Sequence, residues 1–229
     1  MKHSPEWKRL MSFMMEWHIE STSSPYNPHL YVSLVNGRYQ LSTANAIYSY
    51  GDLYDNFLEA FAQMDLETAD FQSVLLLGLG LGSIPTILEN IHNKQYQYTA
   101  VEIDEEVIYL ASKYTLPELA SPMQVICADA ALYCAQCKDT FDLIAIDIFL
   151  DDMIPDTFQQ TPFLENTKKL LTDKGVLIYN HLAYTKEDKK QAKDFFEDTF
   201  KVVFPKAQIL QTNGNRMMIS NGRFLKPQH

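Results

Sequence analysis

Residues 73–86, SVLLLGLGLGSIPT, decide the fold of this chain. Their apolar run ends abruptly at three alternating glycines, Gly78, Gly80 and Gly82, and a helix-like segment, IPTILENIH, follows. Glycine permits a sharp turn from a buried strand into a helix, and it lets a ligand lie against bare backbone. Because the helix N-terminus adds unpaired N–H groups and a partial positive charge, the pattern predicts a site for a nucleotide-like ligand.

The spacing of these glycines disfavours two common phosphate-binding motifs. In the dinucleotide fingerprint, G-x-G-x-x-G, the third glycine would stand where this chain has Ser83. The sequence also lacks G-x-x-x-x-G-K-[ST], which excludes a phosphate-cradling P-loop. An NAD-dependent oxidoreductase is therefore a weak alternative, and a tight turn that binds nothing is the simplest one.

The composition is that of a folded, acidic protein. The chain has 229 residues, of which 46% are hydrophobic, enough for an α/β domain with a small appendage. Its formal net charge is −10, which disfavours nucleic acid as a partner, since phosphate backbones need clustered Lys and Arg. Such a chain attracts a cationic small-molecule substrate more readily, although acidity also serves solubility.

The cysteines and the apolar runs indicate a cytoplasmic protein. Only Cys127, Cys134 and Cys137 occur, an odd and small count that argues against a disulfide framework. Cys134 and Cys137 form a lone C-x-x-C, whereas a structural zinc site needs about four ligands, so we predict no metal site and interpret the pair as thiols on one helix face. The N-terminus has no signal-peptide pattern, and no run of about 18 apolar residues predicts a membrane span.

Short strands and helices alternate after residue 73, which predicts a mostly parallel, doubly wound sheet with helices on both faces. The last two of seven strands, KVVFPKAQIL and NRMMISNG, are expected to form an antiparallel hairpin at one edge. Upstream, Asn36 and Gly37 separate two strand-like runs and predict another hairpin, because both tolerate positive φ. We therefore expect an N-terminal arm and β-hairpin appendage at residues 1–50 and a Rossmann-like domain at residues 51–229.

Polar residues at the carboxyl ends of the predicted parallel strands form the candidate site, because ligands of open α/β sheets bind there. Glu102 ends the second strand, 20 positions beyond Gly82, where a carboxylate can accept hydrogen bonds from two ribose hydroxyls. Asp129 ends the third strand and can accept from an adenine amino group, while the Ala130 N–H can donate to the ring. Asp147 ends the fourth strand.

Helix capping is the simpler interpretation of an acidic residue at a strand end. Asp104, followed by two glutamates, suits that role. Glu102 differs because it lies within the strand itself. The glycines, Glu102 and Asp129 on successive strand ends together favour an adenosine-containing ligand.

From about residue 30 to residue 181 the chain resembles the spermidine synthase-like group of the class I S-adenosylmethionine (SAM)-dependent methyltransferase superfamily. VEIDEEVI at 101–108 is very close to the group's second-strand motif, and NGRYQLST followed by YGDLYDNFLEAF is similar to its N-terminal entry. The resemblance implies a Rossmann-like SAM-methyltransferase fold, with SAM or decarboxylated SAM as ligand. Together with the aromatic N-terminal appendage, it favours a homodimer.

The resemblance also implies roles for individual residues. Gln40 and Tyr54 would face the ligand, and Asp147 would lie at the reacting centre. Together, pattern and resemblance predict catalytic residues at Asp147 and Asp151 and a cofactor site formed by Gln40, Tyr54, Gly78, Gly80, Gly82, Glu102, Ile103, Asp129, Ala130 and Asp147.

The sequence departs from the spermidine synthase pattern at two informative places. Leu81 stands where those enzymes carry an acidic residue inside the glycine turn. After the fourth strand, Asp147 matches the first aspartate of their motif, but Asp151 falls one position late for the second. These departures leave the adenosine site intact and weaken the expected amine site.

Three functions follow from this mixture of matches and departures. The first is a SAM-dependent methyltransferase acting on a small, cationic amine acceptor, with Asp151, Asp152 or His181 as base. The alternative is an aminopropyltransferase that uses decarboxylated SAM and a polyamine. The third is a relative that binds SAM without catalysis.

Overall fold

The computed structural model describes residues 6–227, which begin with a short helix and a four-stranded antiparallel sheet. The helix is α1 (Glu6–Met11), and the strands, in spatial as in chain order, are β1 (Trp17–Thr22), β2 (Leu30–Val35), β3 (Arg38–Ser42) and β4 (Ile47–Ser49). Asn36 and Gly37, with φ of 49° and 77°, make the turn between β2 and β3, so the predicted hairpin is confirmed.

The N-terminal appendage is larger than the predicted hairpin, because β1 and β4 flank it on either side. β1 is half-buried along much of its length and β4 has only three residues. Neither strand therefore carries the clear two-residue alternation from which a strand is predicted.

A second sheet of seven strands forms the body of the chain, in the order β10-β11-β9-β8-β5-β6-β7. The five strands from β9 to β7 are parallel, whereas β10 and β11 complete one edge as an antiparallel pair. This confirms the predicted sheet. The strands are β5 (Ser73–Leu77), β6 (Gln97–Glu102), β7 (Met123–Cys127), β8 (Phe141–Ile146), β9 (Leu171–Leu182), β10 (Gln208–Thr212) and β11 (Asn215–Ile219).

Helices cover both faces of the large sheet. Several begin at side-chain caps: Asp104 and Asp129 each accept a backbone N–H, and Thr185 forms a capping box with Asp188. The helices are α2 (Asp55–Gln63), α3 (Ser83–Asn90), α4 (Glu105–Tyr114), α5 (Ala130–Gln136), α6 (Thr161–Lys169), α7 (Lys186–Phe195) and α8 (Lys201–Val203), with a π-helical turn at Phe196–Phe200 between the last two.

Two apolar clusters lie on opposite faces of the large sheet. One holds side chains of α2, α3 and α4 with the inward residues of the four-stranded sheet, and the other holds side chains of α5, α6 and α7. Successive side chains of β5 point to opposite faces of the sheet, so Leu76 belongs to the first cluster and Leu75 and Leu77 to the second. Because the appendage shares a cluster with the large sheet, a domain boundary at residue 50 stays a prediction. Across residues 6–227, no helix is both long and apolar enough to cross a membrane.

The sheet reverses its winding between β5 and β8, which is where open α/β sheets bind ligands at the carboxyl ends of their strands. At the opposite, amino-terminal ends of β5, β8 and β9, a buried carboxylate holds the strands together. Asp142 accepts hydrogen bonds from the Gln72 N–H (2.9 Å), the Ser73 N–H (3.3 Å) and the Thr172 hydroxyl (2.8 Å). Burial opposes ionisation of Asp142, but these donors outweigh it and lower its pKa.

We expect Asp142→Asn to lower the free energy of unfolding by about 1–3 kcal/mol, because the charged acceptor of two backbone N–H groups becomes a neutral amide with a single oxygen. Since the folded-state pKa of Asp142 is depressed, its contribution is present above the unfolded pKa of about 4 and is lost as the pH falls through the folded value. Urea unfolding at pH 7 measures the difference. Asp70→Asn is the matched control: Asp70 is an exposed partner of Lys174, and its substitution should leave the midpoint unchanged within error. Equal effects of the two substitutions would refute the stabilising role of Asp142.

Candidate active site

The glycine turn brings the ends of β5 and β8 into direct backbone contact. A Cβ atom on Gly78, which has φ of +91°, would lie 2.2 Å from the carbonyl oxygen of Asp147. At Gly80, with φ of +53°, a Cβ atom would lie 3.1 Å from the Tyr48 carbonyl oxygen. Gly82 precedes α3 with φ of 79° and serves the turn alone, outside the cavity walls described below.

Glu102 holds the glycine turn from the end of β6. Its Oε2 accepts the Leu79 N–H (3.0 Å), and its Oε1 accepts the N–H groups of Ile103 (2.9 Å) and Asp104 (3.1 Å). Burial raises the pKa of Glu102 against these hydrogen bonds. Leu81, which stands in place of an acidic residue, is buried in the apolar cluster beneath the turn.

A first cavity of about 260 Å³ opens over the carboxyl ends of β5, β6, β7 and β8. Asp129 uses Oδ1 to cap α5 through the Leu132 N–H (2.9 Å), and within residues 6–227 its Oδ2 has no hydrogen-bond partner. The structure thus brings together most of the predicted cofactor residues, because the wall includes Gly78, Gly80, Glu102, Ile103, Asp129, Ala130 and Asp147.

A second cavity of about 620 Å³ adjoins the first, and both have Tyr48 and Phe149 in their walls. Its polar wall comprises Asn45, Tyr54, Asn56, Asp151, Asp152, Tyr184, Thr185, Asp188, Asn213 and Asn215. Tyr54, predicted to face the cofactor, therefore lines the neighbouring cavity. Tyr48 was not among the predicted residues, because an aromatic residue in a three-residue strand has no distinctive pattern.

Asp147 lines the first cavity and is linked to Tyr54 in the wall of the second. Its Oδ1 accepts a hydrogen bond from Asn180 Nδ2 (2.8 Å) and one from the Tyr54 hydroxyl (3.3 Å). Burial raises the pKa of Asp147 to about 7, and the nearby charge of Glu102 acts in the same direction. Burial also raises the pKa of Tyr54 well above its usual value, so its phenol remains a donor.

Gln40 is not brought to the site. Tyr39 and Leu41 point into the core from β3, so Gln40 lies on the opposite face of that strand. There its Nε2 donates to Ser42 Oγ (2.9 Å), and it belongs to the wall of neither cavity. The geometry therefore does not support a ligand contact of Gln40, which stays a prediction from the resemblance.

Asp151 ties the segment after β8 to the loop between β3 and β4. Its Oδ1 accepts the Thr43 hydroxyl (2.6 Å), and its Oδ2 accepts the Asn45 side-chain amide (2.5 Å). These hydrogen bonds lower the pKa of Asp151. A carboxylate so occupied is a poor proton acceptor, so the geometry does not favour Asp151 as a base, and its catalytic role stays a prediction.

His181 also falls outside the reacting centre. It is buried next to Phe195, on the face of β9 opposite to Asn180. Its Nδ1 lies 2.9 Å from the Leu182 carbonyl oxygen and its Nε2 3.2 Å from Gln159 Oε1. Burial lowers the pKa of His181, and the residue belongs to neither cavity wall.

We expect Asp147→Asn to stabilise the protein at pH 8 by about 1–3 kcal/mol and to have little effect at pH 4. The folded-state pKa of Asp147 lies above its unfolded value of about 4, so its contribution to stability is present below pH 4 and is lost as the pH rises through 7. Asparagine keeps an oxygen for Tyr54 and Asn180 and carries no charge. Urea unfolding at both pH values tests this, with the exposed Asp156→Asn as control; a variant that is less stable than wild type at pH 8 would contradict it.

The family model of the spermine/spermidine synthase domain matches residues 54–222 of this chain. A polyamine aminopropyltransferase of Vibrio vulnificus (strain CMCP6) is 30% identical over 155 residues, which cover 65% of this chain and 50% of that protein. The chain therefore spans about half the length of this curated relative.

Two solved structures share the fold. Spermidine synthase from Thermotoga maritima has a TM-score of 0.68 at 17% identity, covering 89% of this chain and 72% of the other. Human methyltransferase-like protein 13, solved with SAH, has a TM-score of 0.57 at 24% identity, covering 76% of this chain and 82% of the other. These likenesses show an α/β Rossmann-like methyltransferase fold. Since the family model matches well over half of its residues, this chain belongs to the spermine/spermidine synthase domain family.

Proposed function

We propose that this chain transfers an aminopropyl group from decarboxylated SAM to a small cationic amine. The charge of the two joined cavities carries the proposal. Among the described residues in their walls, no Lys, Arg or His occurs. The charged side chains are all carboxylates: Glu102, Asp129 and Asp147 in the first cavity and Asp151, Asp152 and Asp188 in the second.

This charge pattern suits decarboxylated SAM better than SAM. Both molecules carry a sulfonium and an ammonium group, but SAM adds a carboxylate that would need a cationic or N–H partner. Three carboxylates in the first cavity attract the two cations and repel that carboxylate. The family model and the Vibrio aminopropyltransferase likewise support aminopropyl transfer over the methyl transfer that the sequence first suggests.

In the proposed reaction, Asp147 accepts the proton of the attacking amine. The amine lies in the second cavity and its nitrogen forms a bond to the aminopropyl carbon next to sulfur. The C–S bond breaks, its electron pair goes to sulfur, and the nitrogen's proton passes to the Asp147 carboxylate. A carboxylate whose pKa is about 7 is well matched to this step near neutral pH. The cavity walls contribute the rest of the rate enhancement by holding the two substrates in position.

We expect decarboxylated SAM to bind at least about ten-fold more tightly than SAM, a difference of about 1.4 kcal/mol, with methylthioadenosine, which has the adenosine moiety without either charged group, as the reference ligand. Calorimetric titration of the three ligands measures the order. Glu102→Gln should weaken all three, because each ligand carries the same ribose. Tighter binding of SAM would overturn the proposal, and no binding of any ligand would refute the adenosine site itself.

We expect Asp147→Asn to lower kcat with putrescine and decarboxylated SAM by about 10²- to 10⁴-fold, the usual range for loss of a general base. Methylthioadenosine binding should remain, because the substitution leaves the cavity shape unchanged. Asp156→Asn, at an exposed aspartate outside both cavity walls, is the control with the same chemical change. Turnover at the wild-type rate in Asp147→Asn would remove Asp147 from the mechanism.

Methyl transfer from SAM is the second candidate, and the occupied carboxylate of Asp151 favours it. Asp151 is one position from the place of the second aspartate in the spermidine synthase motif, and both of its oxygens already accept hydrogen bonds from Thr43 and Asn45. The same calorimetric order of SAM and decarboxylated SAM separates the two candidates. A cytoplasmic location and a homodimer stay predictions from the sequence.

A further inference from the structure

A chain of two buried asparagines leads from the edge hairpin to Asp147. Asn215, at the start of β11, donates from Nδ2 to Asn180 Oδ1 (2.6 Å), and Asn180 Nδ2 donates to Asp147 Oδ1 (2.8 Å). Asn180 is 1% exposed and Asn215 7% exposed. We propose that Asn215 is a positioning residue, which acts through Asn180 to hold the Asp147 carboxylate in its accepting state.

The direction of this chain follows from the chemistry of the groups. An ionised carboxylate can only accept hydrogen bonds, so Asn180 must turn its NH₂ group toward Asp147. The Asn180 oxygen then faces β11, where it needs a donor, since an unpaired buried acceptor is costly. Asn215 supplies that donor. Without it, the Asn180 amide loses the contact that selects this orientation over the reversed one.

Within residues 6–227, Tyr54 and Glu102 are the other side chains that act on Asp147, and Tyr54 is also within hydrogen-bonding range of Asn180. The Tyr54 hydroxyl, just before α2, donates at 3.3 Å, and Glu102 at the end of β6 is the charged neighbour that opposes ionisation of Asp147. β5 contributes the bare backbone of Gly78. Asn180 therefore provides the shorter of the two hydrogen bonds to Asp147. Asn215 orients the Asn180 amide through its own hydrogen bond to Asn180 Oδ1.

The test is a direct titration of the Asp147 carboxyl group by ¹³C NMR, in which Asp147→Asn identifies the signal. Asn215→Leu removes the donor at similar side-chain volume, and we expect it to raise the Asp147 midpoint by about one pH unit, the scale of one hydrogen bond to a charged group. Asn166→Leu is the matched control: Asn166 lies in α6, outside both cavity walls, and its side chain accepts a hydrogen bond from Lys169. Its midpoint should equal that of wild type.

Asn215→Ala also removes the donor and should raise the midpoint in the same direction, so the inference does not depend on how leucine packs. A merely structural role would lower the thermal unfolding temperature of both position-215 variants and leave the Asp147 midpoint at its wild-type value, and that result would overturn the inference. In turnover assays the acid limb of the kcat profile should move with the midpoint. The bearing on catalysis rests on the proposed function, but the titration does not need turnover: an inactive wild type would refute the function alone, and an unmoved midpoint the inference alone.

Discussion

The close approach of two backbones at Gly78 and Asp147 is the constraint on which the site depends. A Cβ atom on Gly78 would lie 2.2 Å from the Asp147 carbonyl oxygen, so a side chain there would force β5 and β8 apart. Hydrogen bonds hold the junction on both sides, from the Gly78 N–H to the Val101 oxygen (2.9 Å) and from the Asp147 N–H to the Leu77 oxygen (2.8 Å). The carboxyl ends of three strands thus meet at one point, and their side chains share one cavity.

Much of this arrangement could be predicted from the sequence because parallel strands bring their carboxyl ends to the same edge of a sheet. Glu102, Asp129 and Asp147 are far apart in the chain, yet each ends an apolar run and each lines the first cavity. The strand order did not have to be known for this prediction. The ends of the apolar runs indicate which residues lie at the strand ends, and the glycine spacing indicates the kind of turn beside them.

The contacts that the sequence does not predict are those between separate elements. Gln40 lies in an antiparallel strand, where a shift of one residue exchanges the two faces, and no local pattern fixes that choice. Asp151 accepts hydrogen bonds from Thr43 and Asn45 because the loop between β3 and β4 packs next to the segment after β8. Asn215 meets Asn180 only through the register of β11 against β9, which pairs Asn215 with Leu182. Such partners are chosen by tertiary packing, and the chain around each of them looks ordinary.

The carboxylates of the two cavities are distinguished by their partners. Glu102 accepts three backbone N–H groups and so shapes the glycine turn, and Asp151 accepts two side chains and so fastens a loop. Among residues 6–227, Asp147 accepts hydrogen bonds from one phenol and one amide, and burial brings its pKa to about 7. Like charges that line one cavity would all resist ionisation to a similar extent if their surroundings were equal. Because the hydrogen bonds are unequal, Asp147 differs from Glu102 and Asp151, and its pKa of about 7 suits the proton transfer near neutral pH that the proposed reaction requires.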